Sequence, residues 1–159
     1  MTLHIIHLEY CEDRKTHILR QLEFQGITDF RFWPGILSTD KASLRIAQAH
    51  QWIISWAKSR GENEVIIAED DLQFTGPGAF NYFIDNEPEN YDLYLGGISY
   101  GKIKFDNSVD DFAAAHLYKI KSRFFDTMLS LAGEKDIDRD LGHRGKFFVC
   151  STWYQDRRV

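Results

Sequence analysis

The chain has 159 residues, 43% hydrophobic, 27% charged and 14% aromatic, with a formal net charge of −5. That length suits one domain with a substantial core. The acidic balance, broken only by short groups such as Lys121-Ser122-Arg123 and Arg157-Arg158, excludes nucleic acid as a partner.

In chain order, MTLHIIHLEY opens without a basic segment or a small-residue cleavage site, so it reads as a strand over Leu3 to Leu8 and not as a secretion signal. A helix is expected from Glu12 to Gln25, with Ile18, Leu19 and Leu22 on one face and Gly26 to end it. Phe30 to Trp33 is a second strand, stopped by Pro34-Gly35. Ser38, Thr39 and Asp40 then offer caps for a long helix to about Ser59, closed by Gly61. Val65 to Ala68 is a third strand, and Thr75-Gly76-Pro77-Gly78 leads into a helix from Ala79 to Ile84. YDLYLGG, from Tyr91, is a fourth strand closed by two glycines. Gly101 to Asp111 reads as a mobile polar loop, and Phe112 to Ile120 as a fifth strand. Ser122 caps a helix through Leu131, and Lys146 to Cys150 is a last short strand. No window reaches membrane-spanning length, and Cys11 and Cys150, outside any CxxC pattern, read as free thiols of a cytoplasmic protein.

Strand and helix alternate along most of the chain, which predicts an α/β domain with a mostly parallel sheet covered on both faces. Ligands of such sheets sit beyond the carboxyl ends of the strands. Glu69-Asp70-Asp71 follows the third strand there, Gly96-Gly97 the fourth, and His7-Leu8-Glu9 the first. Three adjacent carboxylates at such a rim suit a hard divalent cation, Mn²⁺ or Mg²⁺, that bridges to substrate phosphates. In an extended chain Glu69 and Asp71 share one side, making them the expected metal ligands. Asp70 points the other way, toward a loop or a ribose hydroxyl. The competing reading of the triple is a solvated exit from the strand.

The ordered segments IIHLEYCEDR, Ala49-His50 in the long helix, VIIAEDD, YDLYLGG, DIDRDL and Gln155 resemble glycosyltransferase family 25, the lipooligosaccharide galactosyltransferase-like enzymes. The resemblance spans nearly the whole chain and rests on the ordered set. It implies a three-layer, GT-A-like nucleotide-diphospho-sugar transferase fold in a single domain over residues 1–159. It further implies Glu69-Asp70-Asp71 as a DxD-type metal and donor motif, with His7, Leu8, Arg14 and His50 on the donor. Asp138 matches an aspartate before the last strand and Gln155 a closing glutamine. The chain departs from the family at His7, where the family has Asn, at Tyr10, where it has Arg, and at Ala49, where it has Ser.

The activity that the resemblance implies is metal-dependent transfer of a hexose from a nucleotide-diphosphate sugar, a UDP-sugar first, to a lipopolysaccharide-type glycan. It implies an inverting reaction, in which Asp138 would take the acceptor proton. Peripheral association with a membrane stays open. Arg14 suits phosphate oxygens, or alternatively pairs with Glu9 or Glu12. His50 falls on the apolar face of its helix, as a core histidine or a donor-site group. Gly96-Gly97 is a plain turn or a place where a sugar approaches the backbone. His116, inside an apolar run, reads as a packed histidine, with a metal-ligand role as the alternative. Asp136 to Asp140 is alternatively a salt-bridged surface turn. Two rival functions remain: a transferase fold that binds a sugar nucleotide or a partner without turnover, and a Mg²⁺-dependent phosphohydrolase. The second lacks a nucleophilic Asp after the first strand.

Overall fold

The apolar run Leu3–His7 forms β1, the first of five parallel strands in a computed structural model that describes residues 1–37 and 41–150. Helix α1 (Glu12–Gln25) follows and ends at Gly26, whose left-handed φ of 68° lets its N–H reach the Glu23 carbonyl. The Ile27 N–H closes onto Leu22 at 2.9 Å, completing a glycine-terminated helix end. Ile18 and Leu22 are buried on this helix, whereas Leu19, expected on the same face, is exposed at its edge. Next come β2 (Phe30–Pro34), α2 (Ala42–Ser59) and β3 (Glu64–Glu69). The expected caps Ser38, Thr39 and Asp40 lie outside the described residues, as does Gln155.

The second half is more broken. Short helix α3 (Ala79–Asp85) precedes β4 (Leu93–Leu95). Strands β5 (Tyr100–Gly101) and β6 (Ser108–Val109) occupy the segment expected to be loop. The strand expected over Phe112 to Ile120 is two strands, β7 (Phe112–Ala113) and β8 (Leu117–Lys121). They are divided at Ala114, whose φ of 78° a strand does not accommodate. A 3₁₀ turn, Ser122–Phe124, then leads into α4 (Phe125–Leu129), so the helix expected to reach Leu131 is tighter at its start and ends sooner. Helix α5 (Ile137–Leu141) occupies the segment whose alternative reading was a surface turn, and β9 (Phe147–Val149) ends the sheet-forming part.

Seven strands form one sheet in the order β2-β1-β3-β8-β4-β9-β6, and β5 and β7 form a separate pair. In the large sheet β8 and β6 run against the other strands, so the sheet is mixed but mostly parallel. The central strands are buried on both faces, as parallel sheets require. Val65 and Ile67 of β3 pack with Ile53, Ile54 and Ala57 of α2 and Met128 of α4. Ile66 and Ala68 pack on the other face with Ile18 and Leu22 of α1 and Phe83 of α3. The result is three layers.

The polar side chains of β8 are neutralised at the end of the sheet away from the acids. Lys119, almost fully buried, pairs with Glu64 at 2.8 Å and with Glu87, and Lys121 reaches Glu87 at 2.8 Å and also Glu64. Tyr91 donates its hydroxyl to Glu87 at 2.6 Å. A buried lysine without such partners would be costly. Its partners here also hold β8 in its antiparallel register.

Candidate functional site

Four strand ends converge on one rim. β1 closes with His7, β3 runs out into Glu69-Asp70-Asp71, and β4 runs out into Gly96-Gly97. Because β8 is antiparallel, it begins at this rim, and the Glu69 N–H donates to the His116 carbonyl at 2.9 Å. The acids themselves form a turn, with the Leu72 N–H returning to the Glu69 carbonyl at 3.2 Å.

Their side chains divide. Asp70 turns inward, 4% exposed, and accepts from Nδ1 of His7 at 2.8 Å and from the Arg14 guanidinium at 3.0 Å. A carboxylate only accepts, so Nδ1 of His7 carries the proton. Nε2 of His7 is buried and without a hydrogen-bond partner among the described residues. Arg14 pairs with Asp70 and lies 4.0 Å from Asp71, not with Glu9 or Glu12.

Glu69 and Asp71 face the other way and meet at His116. Nδ1 of His116 lies 3.0 Å from Glu69 and 3.2 Å from Asp71. One ligand atom from each of the three falls within 4.8 Å of the others, close enough for one ion. His116 is half-exposed at the mouth of the sheet and not packed inside a strand, which corrects the first reading of it. Behind Glu69 stands His50, with Nε2 3.3 Å from its carboxylate and Nδ1 2.7 Å from the Tyr118 hydroxyl. Tyr118 is fully buried, which holds its phenol protonated far above the usual range. The ionised Glu69 only accepts, so Nε2 of His50 carries the N–H that holds it, and Nδ1 of the neutral tautomer accepts from the Tyr118 hydroxyl. His50 is thus both a core histidine and a group at the rim.

These contacts set the charges. The Asp71 and Glu69 carboxylates push the His116 imidazolium up to about 10, against a smaller effect of burial. Burial acts to raise the Glu69 carboxyl, but hydrogen bonds to His116 and His50 prevail and bring it down to about 2. The His116 hydrogen bond likewise holds Asp71 below its ordinary value. Two ionised carboxylates, with a second histidine orienting one of them from behind, suit a divalent cation, which would displace the proton that His116 shares with them and take its imidazole as a third ligand. The nitrogen donor suits Mn²⁺ better than Mg²⁺.

Two cavities flank the acids, and Asp71 belongs to the walls of both. The first, about 340 Å³, is lined by Leu8, Tyr10, Arg14, Arg45, His50 and the acid turn. The second, about 540 Å³, lies over Gly96, Gly97, Ser99, Ala114 and His116. A side chain at Gly96 would strike Leu117 of β8 at 2.8 Å, so that glycine serves the sheet, while Gly97 faces open space. Asp138 is not among the residues lining either cavity, but it is bonded to Ala114, which lines the second. Its carboxylate accepts the Ala114 N–H at 2.6 Å and its neighbour Arg139 N–H at 2.7 Å.

The sequence offered His116 to the metal only as the alternative to a packed strand residue, and it did not bring Tyr118 to the acids, since that residue read as strand interior. Among the described residues no helix is long and apolar enough to cross a membrane, and Cys11 and Cys150 are free.

No family model matches the sequence, and no curated protein matches it either. Solved structures do match. Protein A197 from STIV aligns over 93% of this chain and 80% of its own, with a TM-score of 0.54 at 12% identity. A protein of Desulfovibrio desulfuricans G20 assigned as a nucleotide-diphospho-sugar transferase aligns over 93% of this chain and 78% of its own, with a TM-score of 0.53 at 11% identity. At such identity the likeness is one of fold: this chain has the α/β nucleotide-diphospho-sugar transferase fold.

Proposed function

We propose that the chain is a metal-dependent glycosyltransferase that moves a hexose from a nucleotide-diphosphate sugar, a UDP-sugar first, to a glycan hydroxyl. One observation carries this reading. Asp71 belongs at once to the Glu69–Asp71–His116 cluster and to the walls of both cavities, so an ion held there sits between two binding spaces. The fold and the ordered resemblance to glycosyltransferase family 25 support it, and that resemblance extends the acceptor to a lipooligosaccharide-type glycan.

In this reading the first cavity takes the nucleotide. Leu8 and Tyr10 form its apolar side, and Arg14 and Arg45 supply positive charge for a diphosphate. Asp70 fixes Arg14 and His7 from below, so it orients the donor side without binding the ion. Glu69, Asp71 and His116 would hold the cation, which would supply positive charge to the departing diphosphate. The sugar then lies over Gly97, where the open backbone leaves it room. Asp138 takes the proton of the attacking hydroxyl, its carboxylate aimed by the two amide N–H groups it accepts. The reaction is inverting, with one carboxylate serving as base.

A screen of UDP-, GDP- and CMP-sugars with Mn²⁺, read by donor hydrolysis and by transfer to free sugars, tests this. Metal-dependent hydrolysis or transfer with one donor is expected. Metal-dependent binding without turnover would make the chain a sugar-nucleotide-binding protein, and hydrolysis of simple phosphate esters would favour a phosphohydrolase.

A further inference from the structure

Beyond the acid turn, residues 72–76 run outside the regular elements, and side chains of α1 hold them in place. The Arg14 guanidinium donates to Asp70 at 3.0 Å, and Nε2 of His17 donates to the Leu72 carbonyl at 2.8 Å. The Phe74 N–H donates to Gln21 at 2.9 Å. Gln25 donates to the Gly76 carbonyl at 2.8 Å and accepts the Phe80 N–H at 3.1 Å. Positions three or four apart on a helix are separated by about 5 to 6 Å of rise, close to the two-residue repeat of an extended chain. Each step along α1 therefore meets every second residue from Asp70 to Gly76.

This pairing sorts the side chains. Asp70, Leu72 and Phe74 are buried, whereas Asp71, Gln73 and Thr75 are exposed. All three of the exposed set line the second cavity. Most polar side chains of that cavity are already engaged. Asp71 and His116 belong to the cation cluster, Ser99 donates to the Ala113 carbonyl at 3.3 Å, and the Cys150 thiol pairs with the Tyr94 hydroxyl. Gln73 and Thr75 differ: among the described residues neither side chain has a hydrogen-bond partner.

The carboxamide of Gln73 offers two donors and an acceptor, and the Thr75 hydroxyl both donates and accepts. Apolar side chains such as Phe74, Phe83, Ile98 and Leu117 make up much of the remaining wall. A few neutral polar groups set among apolar ones suit the hydroxyls and C–H surface of a sugar. The backbone is also fixed on both sides of each group, by His17 and Gln21 around Gln73 and by Gln21 and Gln25 around Thr75. Little ordering of that backbone is left for binding to impose.

We infer that Gln73 and Thr75 hydrogen-bond the ring hydroxyls of the saccharide that occupies the second cavity. This rests on the transferase reading and adds two residues to its substrate site. The hydroxyls belong to the donor hexose or to the acceptor, and the test separates the two.

The test compares the unaltered full chain with Gln73→Ala, Thr75→Val and Thr75→Ser, all with Mn²⁺. Calorimetry measures UDP, UDP-galactose and UDP-glucose. Saturation-transfer difference NMR measures methyl β-D-galactopyranoside and methyl β-D-glucopyranoside, with and without UDP. Gln73→Ala and Thr75→Val should each weaken saccharide binding about three- to tenfold, the net effect of one hydrogen bond. Thr75→Ser keeps the hydroxyl and should bind as the unaltered chain does, and UDP affinity should stay the same throughout. A loss confined to the UDP-sugars assigns the hydroxyls to the donor, and one confined to the methyl glycosides assigns them to the acceptor. Unchanged saccharide binding in Gln73→Ala or Thr75→Val, a loss in Thr75→Ser equal to that in Thr75→Val, an equal loss for UDP itself, or no saccharide bound by the unaltered chain would overturn the inference. Failure of the unaltered chain to bind UDP would count instead against the transferase reading, while the methyl glycosides still decide the role of the two side chains.

Discussion

Glu69 and His116 stand 3.0 Å apart across 47 residues of sequence, because β8 enters the sheet antiparallel beside the point where β3 leaves it. A parallel strand in that position would carry its first residues to the opposite end of the sheet. The imidazole therefore reaches the acids through strand direction, and the metal cluster depends on it. His116→Ala should weaken Mn²⁺ binding by at least about tenfold, since loss of even an outer partner costs 10- to 100-fold. Calorimetric titration with MnCl₂ measures it, and unchanged affinity would remove His116 from the ligand set.

Tyr118 acts one step further back. Its hydroxyl fixes the His50 tautomer that holds Glu69, so Tyr118→Phe leaves a buried imidazole nitrogen unpaired. We expect a stability loss of about 1–3 kcal/mol in urea denaturation, the cost of one unsatisfied buried group. Weaker Mn²⁺ binding should accompany it. A stability loss with unaltered metal affinity would confine Tyr118 to a packing role.

The legibility of the sequence follows from how local each signal is. The elements from β1 to β3 emerge close to their expected bounds because apolar periodicity and glycine stops lie within them, as at Gly26. The division of the acids was also readable, Asp70 turning to His7 while Glu69 and Asp71 turn to His116, although they form a turn rather than an extended chain. The break at Ala114 was not readable. Its N–H is taken by Asp138, 24 residues away, and nothing between Phe112 and Ile120 announces a residue with positive φ. That one long-range bond coincides with the split into β7 and β8, and so with His116 reaching the rim.

The charge cluster at the other end of the sheet sets an acid limit on stability. Burial acts to raise the Glu87 carboxyl, but Lys119, Lys121 and the Tyr91 hydroxyl outweigh it and bring it to about 2 from an ordinary 4.5. With the folded value below the unfolded one, the stabilisation is fully present above 4.5 and is lost as pH falls from there toward 2. Urea midpoints between pH 6 and about 2.5 should fall, and Glu87→Gln should flatten that fall while lowering stability at pH 6. The same acid slope in both proteins would contradict the assignment.

Asp138 carries a kinetic prediction. A general base contributes ~10²–10⁴-fold, so Asp138→Asn should cost at least about 100-fold in turnover. Donor affinity should change little, because Asp138 does not line the first cavity. Single-turnover rates with saturating donor measure it. Near-normal rates would leave Asp138 with only its hold on Ala114.

The central claim, a cation at Glu69, Asp71 and His116 that joins the two cavities, is tested most directly by calorimetry of UDP binding with and without Mn²⁺, for the unaltered chain and for Asp71→Asn. The account predicts UDP binding that requires Mn²⁺ and is lost or weakened at least about tenfold in Asp71→Asn. UDP binding indifferent to Mn²⁺ and to that substitution, or no UDP binding at all, would contradict it.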